Sequence, residues 1–194
     1  MPVGEAGLIV FAGGFLAFLL AIGAAKLRGR RHPRDADNRR DMRSVLWIAA
    51  QGAGMAFLGI GGVRVELEPF SLRALTDAAI VGSLMGGAVG LFHWASATMG
   101  RNWALIARTR GDGSLITDGP FAWVRNPIYV ALALVMVAMG VAFGHLAGLV
   151  VALPVFCVAT WLRVRSEEEV LRASFGPAYD EYAARVKRFI PGLF

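Results

Sequence analysis

The sequence predicts an all-α integral membrane protein of about five transmembrane helices, and three observations carry that prediction. The mean hydropathy is +0.56, well above that of an ordinary soluble domain. Apolar runs recur along the 194 residues, separated by shorter polar segments. The basic residues collect in those polar segments, as membrane topology requires. A net charge of +6 could suit a nucleic-acid partner. The placement of the charges in loops argues against one. The length suits a single domain, 1–194, with a three-span part over 1–98 and a second part over 99–194. The lone Cys157 lies within an apolar run, so no intrachain disulfide can form.

The first span is expected over Ala6 to Ala25. Glu5 stands where a signal peptide would carry basic residues, so this run reads as retained. The polar loop Lys26 to Arg43 holds eight basic residues against Asp35, Asp37 and Asp41 and reads as cytoplasmic. Contact with anionic lipid is its ordinary use. The second span covers Ser44 to Val63. The loop after it balances Arg64 and Arg73 against Glu66 and Glu68, as an outside loop should. The third span covers Leu75 to Ala95. Gly82, Gly86 and Gly90 share one face there, suited to close packing within the chain or, alternatively, to a homodimer seam. His93 near its end has no second His, Cys or carboxylate at ligand spacing, so no metal site is expected.

Met99 to Trp123 is broken by Gly100, Gly111, Gly113 and Gly119 and is no span. A short β-hairpin is expected, with Trp103–Ala107 and Ser114–Thr117 flanking the turn residues Asp112-Gly113. The fourth span covers Ile128 to Phe143 and the fifth Leu146 to Leu162. Only Gly144 and His145 separate them, so they form a tight hairpin. Pro154 should kink the fifth. The tail from Arg163 is amphipathic, with Val164, Glu168, Leu171 and Phe175 on one face. Gly176-Pro177 ends that helix, and another runs over Ala178 to Arg188. All basic residues except Arg64 and Arg73 then fall on one side, giving an outside N-terminus and a cytoplasmic C-terminus.

Two stretches stand out. Gly119-Pro120-Phe121-Ala122-Trp123-Val124-Arg125-Asn126-Pro127-Ile128-Tyr129 leads into the fourth span, with Asn126 as N-cap and Pro127 at the first helical position. Such a helix end offers free N–H groups to an anion. Arg163-Val164-Arg165-Ser166-Glu167-Glu168-Glu169 leaves the fifth span, with Glu167 one turn beyond Arg163. A folded-back hairpin brings the two stretches to one membrane surface. A solvated helix start is the plain explanation of three adjacent glutamates. The apolar neighbours of Glu168 weigh against it. No charge sits at mid-membrane, which argues against a pump or transporter.

Val124-Arg125-Asn126-Pro127-Ile128-Tyr129, then Arg163-Val164-Arg165-Ser166-Glu167-Glu168, Leu171, Phe175-Gly176, Tyr179 and Tyr182 resemble the isoprenylcysteine carboxyl methyltransferase family. The related integral-membrane phospholipid methyltransferases share the core of this pattern. The likeness runs from about Gly100 to Pro191 and rests on the order and spacing of motifs around an apolar hairpin. It implies an S-adenosylmethionine-dependent methyltransferase embedded in the membrane. It also implies a cytosolic cofactor pocket built by the span four–five hairpin, the preceding loop and the C-terminal helices. By that resemblance Gly119, Phe121, Arg125, Asn126, Pro127 and Tyr129 border the cofactor. Glu167 and Glu168 bind its polar groups, and Arg163 orients the substrate. Asn126 stands where the family often has His.

Physical chemistry agrees with the implied ligand. The helix end can receive the carboxylate of S-adenosylmethionine, Glu167 and Glu168 its amine or ribose, and Tyr129 or Trp123 its sulfonium. Methyl transfer needs an aligned nucleophile and little else. A carboxylate acceptor, as in a prenylcysteine, needs almost no base. An amine acceptor, as in a phospholipid headgroup, would look to Glu168. The acceptor expected is a lipophilic small molecule or lipid reaching the site from the membrane. A non-catalytic membrane assembly or small transport subunit is the alternative of another class.

Overall fold

The computed structural model describes residues 1–30, 42–100 and 114–193. Six α-helices occur among them: α1 Glu5–Arg30, α2 Met42–Gly59, α3 Leu72–Met99, α4 Pro127–Ala142, α5 Leu146–Phe175 and α6 Pro177–Arg185. No strand occurs among the described residues, only isolated bridges at Val3–Val65 and Val124–Lys187. Ser114–Thr117 are irregular, and the other arm of the expected hairpin lies outside the described residues. So does most of the basic loop after α1.

Three helices, α1, α3 and α5, are long and apolar enough to cross a membrane; α2 and α4 are shorter apolar helices. A helix satisfies its own backbone, which lipid cannot do. Residues such as Ile9, Leu16, Leu20, Val150 and Val158 stay exposed, as lipid-facing side chains do. One packed core joins Phe11 and Phe18 of α1, Val81, Met85 and Phe92 of α3, and Val135 and Ala138 of α4. A second joins Leu58 of α2, Met136 of α4, and Ala152 and Phe156 of α5. α3 therefore packs on both α1 and α4, and α5 lies chiefly against α2.

The hairpin between α4 and α5 turns as the sequence predicts. A Cβ at Gly140 would stand 2.7 Å from Leu149 Cδ1, so a larger residue there would have to displace the Leu149 side chain between the arms. α5 stays one helix through Pro154 and joins the fifth span to the expected tail helix without a break, to Phe175. It outruns the start of α4 and forms a post for the C-terminal segment. Gly176, at φ +51°, stops it.

Three expectations need correction. Gly82 is approached by Val10 Cγ1 of α1, but among the described residues nothing lies within 4 Å of a Cβ at Gly86 or Gly90, so the glycine face seats a neighbouring helix only at its Gly82 end. α6 ends at Arg185, not Arg188, because the chain turns extended at Val186 and runs alongside Val124–Asn126. Asn126 precedes α4 but makes no side-chain cap; its Nδ2 donates to Arg188 O instead, at 3.3 Å.

The ends of the bundle differ in charge. Val3, Arg64, Glu66, the α4–α5 turn and Leu58 meet at one end, through Val3 N–H to Arg64 O, Glu66 N–H to Val3 O, and His145 Nδ1 to Leu58 O. Arg125, Arg163, Arg172 and Arg188 gather at the other. That segregation is the one the charge pattern predicts.

Candidate functional site

The site forms where the start of α4 meets the polar part of α5. Gly119–Ala122 makes a single 3-10 turn ahead of α4. Gly119 has φ +58°, and a Cβ there would stand 2.7 Å from Thr98 Oγ1 on α3. The turn buries Pro120 and Phe121. Phe121 O accepts the Tyr182 hydroxyl at 2.7 Å. Burial pushes that hydroxyl far above the ordinary tyrosine range, against the opposing pull of Arg125, so it stays a neutral donor. Arg125 N–H and Asn126 N–H donate to Lys187 O and Arg188 O, which ties the extended C-terminal segment to the entrance of α4.

Two ionic clusters sit side by side on successive residues of α5. In the first, Glu167 Oε1 accepts the Tyr129 hydroxyl at 2.7 Å and Arg163 Nε at 3.0 Å. The Arg163 guanidinium lies over the Tyr129 ring, 5.2 Å from its centroid. Arg163 also donates from Nη1 to Gln51 Oε1 of α2 at 3.2 Å, and Gln51 Nε2 donates to Thr160 Oγ1 at 2.7 Å. Gln51, Thr160 and Arg163 are all buried. Arg163 therefore points into the bundle; it does not snorkel outward.

In the second, Glu168 is buried and receives Arg188 through both oxygens, at 2.9 and 2.7 Å. Arg125 Nη2 stands 3.3 Å from Oε1 and Arg172 Nη1 3.9 Å from Oε2. Arg188 also stacks on the Trp161 ring at 4.5 Å. Its hydrogen bonds to Glu168 hold its charge more firmly than in water. Arg125 Nη1 reaches the Tyr179 hydroxyl at 3.5 Å, while Arg125 Nε is buried without a hydrogen-bond partner among the described residues. Burial, with the Glu168 charge close by, raises the Tyr179 hydroxyl above its ordinary range.

The structure thus brings Tyr129, Arg163, Glu167 and Glu168 together, with Arg125 and Asn126 beside them. Phe121 and Pro127 serve as the buried frame, with half-buried Gly119 at its edge. The first turn of α4 has fewer free donors than its sequence suggests. Pro127 has none, and the N–H groups of Tyr129 and Val130 return to Asn126 O. Trp123 is exposed, and one side of the Tyr129 ring is taken by Arg163. Glu168 has both oxygens engaged by guanidinium groups, which suits it to holding the fold around the site and not to taking up a proton. Sequence reasoning misses Gln51 and Thr160, whose only signal is an amide and a hydroxyl inside apolar runs. It also misses Arg188 as a partner of Glu168, since its sequence does not set it apart from Arg185 or Lys187.

Fold and site together define an all-helical membrane protein with its polar machinery gathered at one end. The chain belongs to the phospholipid methyltransferase family, whose model matches residues 78–178. That segment contains most of α3, all of α4 and α5, and the paired clusters except for Gln51, Tyr179, Tyr182 and Arg188. The chain is also similar to the cobalt-zinc-cadmium resistance protein CzcN of Cupriavidus metallidurans, 33% identical over 106 residues, 54% of this chain and 49% of that protein. A similar likeness links it to the nickel-cobalt-cadmium resistance protein NccN of Alcaligenes xylosoxydans xylosoxydans, 32% identical over 106 residues with the same coverage. The chain spans about half the length of the curated relatives it matches.

Proposed function

We propose that this chain is an S-adenosylmethionine-dependent methyltransferase that acts on a lipophilic acceptor at the cytoplasmic face of a membrane it crosses five times. The observation that carries the reading is the Tyr129–Glu167–Arg163 cluster at the mouth of the α4–α5 hairpin, inside the segment matched to the methyltransferase family. The N-terminus is then outside, and the strongly basic end of the bundle faces the cytoplasm. Both parts of the chain, 1–98 and 99–194, work as one unit.

The residues present fit the cofactor. Tyr129 and Arg163 both bond Oε1 of Glu167, which among the described residues leaves Oε2 for an amine or a ribose hydroxyl. Gly119, Phe121, Asn126 and Pro127 form the frame beside it. When bound, S-adenosylmethionine supplies an electrophilic methyl group. The chain's part is to hold, align and dry the site. Arg163, fixed by Glu167 and Gln51, presents positive charge to a carboxylate or phosphate of the acceptor. Glu168 keeps Arg125, Arg172 and Arg188 in place around the entrance.

Cobalt, zinc, cadmium and nickel resistance belongs to the names of the relatives. The site proposed here is a hydrogen-bonding set of Arg, Glu, Tyr and Gln, suited to a polar organic ligand. Among the described residues no group of three or more His, Cys, Asp or Glu converges to hold a metal ion.

The test is transfer of a labelled methyl group from S-adenosylmethionine to total lipid and small-molecule extracts by the purified protein. Label in an organic-phase product supports the reading, and the product's chemistry separates a methyl ester from a methylated amine. No labelled product, together with no binding of S-adenosylmethionine, returns the chain to a non-catalytic role.

A further inference from the structure

We infer that Gln51, on α2 and outside the family-matched segment, is a positioning residue that sets the direction of the Arg163 guanidinium from within the apolar layer. The inference rests on the proposed methyl transfer for its functional meaning, but its geometry stands alone.

Gln51 is 5% exposed and lies in a helix whose other described residues are mostly apolar or small. An unpaired amide there is costly. Here both ends of the amide are used. Oε1 accepts Arg163 Nη1 at 3.2 Å, and Nε2 donates to Thr160 Oγ1 at 2.7 Å. Thr160 stands one turn before Arg163 on the same helix and takes the amide nitrogen, while the guanidinium, which only donates, sets the amide oxygen toward itself. An amide held so that its oxygen meets the guanidinium can only accept from it. Glu167 takes Nε from the other side, and Tyr129 lies under the plane. The guanidinium is thereby held on α2, α4 and α5 at once. Packing alone would be met by Leu or Met at this position, at lower desolvation cost. The polar chain Thr160–Gln51–Arg163–Glu167–Tyr129 ties the least family-like half of the chain to the most family-like cluster.

Gln51→Leu, Gln51→Glu and Thr160→Val separate this from a packing role. Glutamate at 51 keeps an acceptor for Arg163; leucine keeps only volume. Two readouts are taken in lipid nanodiscs. The first is the extent of phenylglyoxal modification at Arg163, mapped by mass spectrometry, which needs no activity. The second is the split between kcat and the KM for S-adenosylmethionine in labelled methyl transfer to a lipid extract. Gln51→Leu should raise Arg163 modification severalfold and lower kcat by about 10- to 100-fold, the range for removing one hydrogen bond to a charged group, with that KM little changed. Gln51→Glu should protect Arg163 as the wild type does. Thr160→Val, which leaves Gln51 present, should show the same direction more weakly and serves if Gln51→Leu does not fold. Unchanged Arg163 modification in both Gln51→Leu and Thr160→Val overturns the inference, as does a loss of melting temperature with no change at Arg163. If the wild type transfers no methyl group, the proposed function fails while the modification readout still decides the positioning of Arg163.

Discussion

Tyr129 and Glu167 lie on different helices, 38 residues apart, and the tyrosine hydroxyl donates to Glu167 Oε1 at 2.7 Å. The same oxygen accepts Arg163 Nε, so one carboxylate holds the entrance of α4 to the exit of α5. Tyr129→Phe keeps the ring under Arg163 and removes only the hydroxyl. A hydrogen bond to a charged group contributes about 1.5–3 kcal/mol, so this variant should unfold more readily by an amount in that range. A double-mutant cycle with Glu167→Gln, read by thermal unfolding in detergent, should give a coupling energy of about 1 kcal/mol or more. Strictly additive effects would show that the two side chains do not interact.

Adjacent glutamates on α5 should behave very differently. Glu168 is buried among Arg125, Arg172 and Arg188, whereas Glu169 is exposed. Removing one partner of a buried ionic cluster costs about 3–5 kcal/mol, because the other charges stay behind. Glu168→Ala should therefore lose most of its cooperative unfolding transition, and Glu169→Ala should remain within about 0.5 kcal/mol of the wild type. Similar melting curves for the two variants would contradict the cluster.

Gly119→Ala tests the turn that delivers the chain to α4. The φ of +58° disfavours any side chain, and Thr98 Oγ1 blocks the space a Cβ would need. The left-handed backbone alone costs about 1–2 kcal/mol. The variant should lose at least that much stability, and adding Thr98→Ala should recover only the part due to contact. Full recovery in the double variant would place the whole effect in the collision.

Much of this was legible in the sequence, for physical reasons. Apolar runs of spanning length must become helices in lipid, and two-residue separation forces α4 and α5 into a hairpin. The meeting of Asn126–Tyr129 with Arg163–Glu168 follows from that hairpin. Pair identities were not legible. Periodicity places Glu168 on an apolar face, but only the fold shows that Arg188, 20 residues on, reaches it. Asn126 has the composition of an N-cap, yet its amide is drawn away by the extended C-terminal segment, a contact no local pattern encodes. Gln51 looks like a tolerated amide in an apolar run, because its partners come from α5. The Gly82, Gly86 and Gly90 face shows the reverse: regular spacing permits close packing without requiring it.

Topology gives a further check. Single cysteines introduced near Glu68 and near Arg185, in a Cys157→Ser background, should label from opposite sides of sealed vesicles. The Arg185 position should be the cytoplasmic one, following the basic segments. Labelling of both from the same side would contradict the five-span arrangement.

The most direct measurement is calorimetric binding of S-adenosylmethionine to the purified protein, compared with Glu167→Gln. The replacement preserves size and removes the charge that Tyr129 and Arg163 enclose. Wild-type protein should bind, and Glu167→Gln should bind at least about tenfold more weakly, corresponding to about 1.4 kcal/mol. Equal affinity in the two proteins, or no binding by the wild type, would contradict the assignment of this site to the methyl donor.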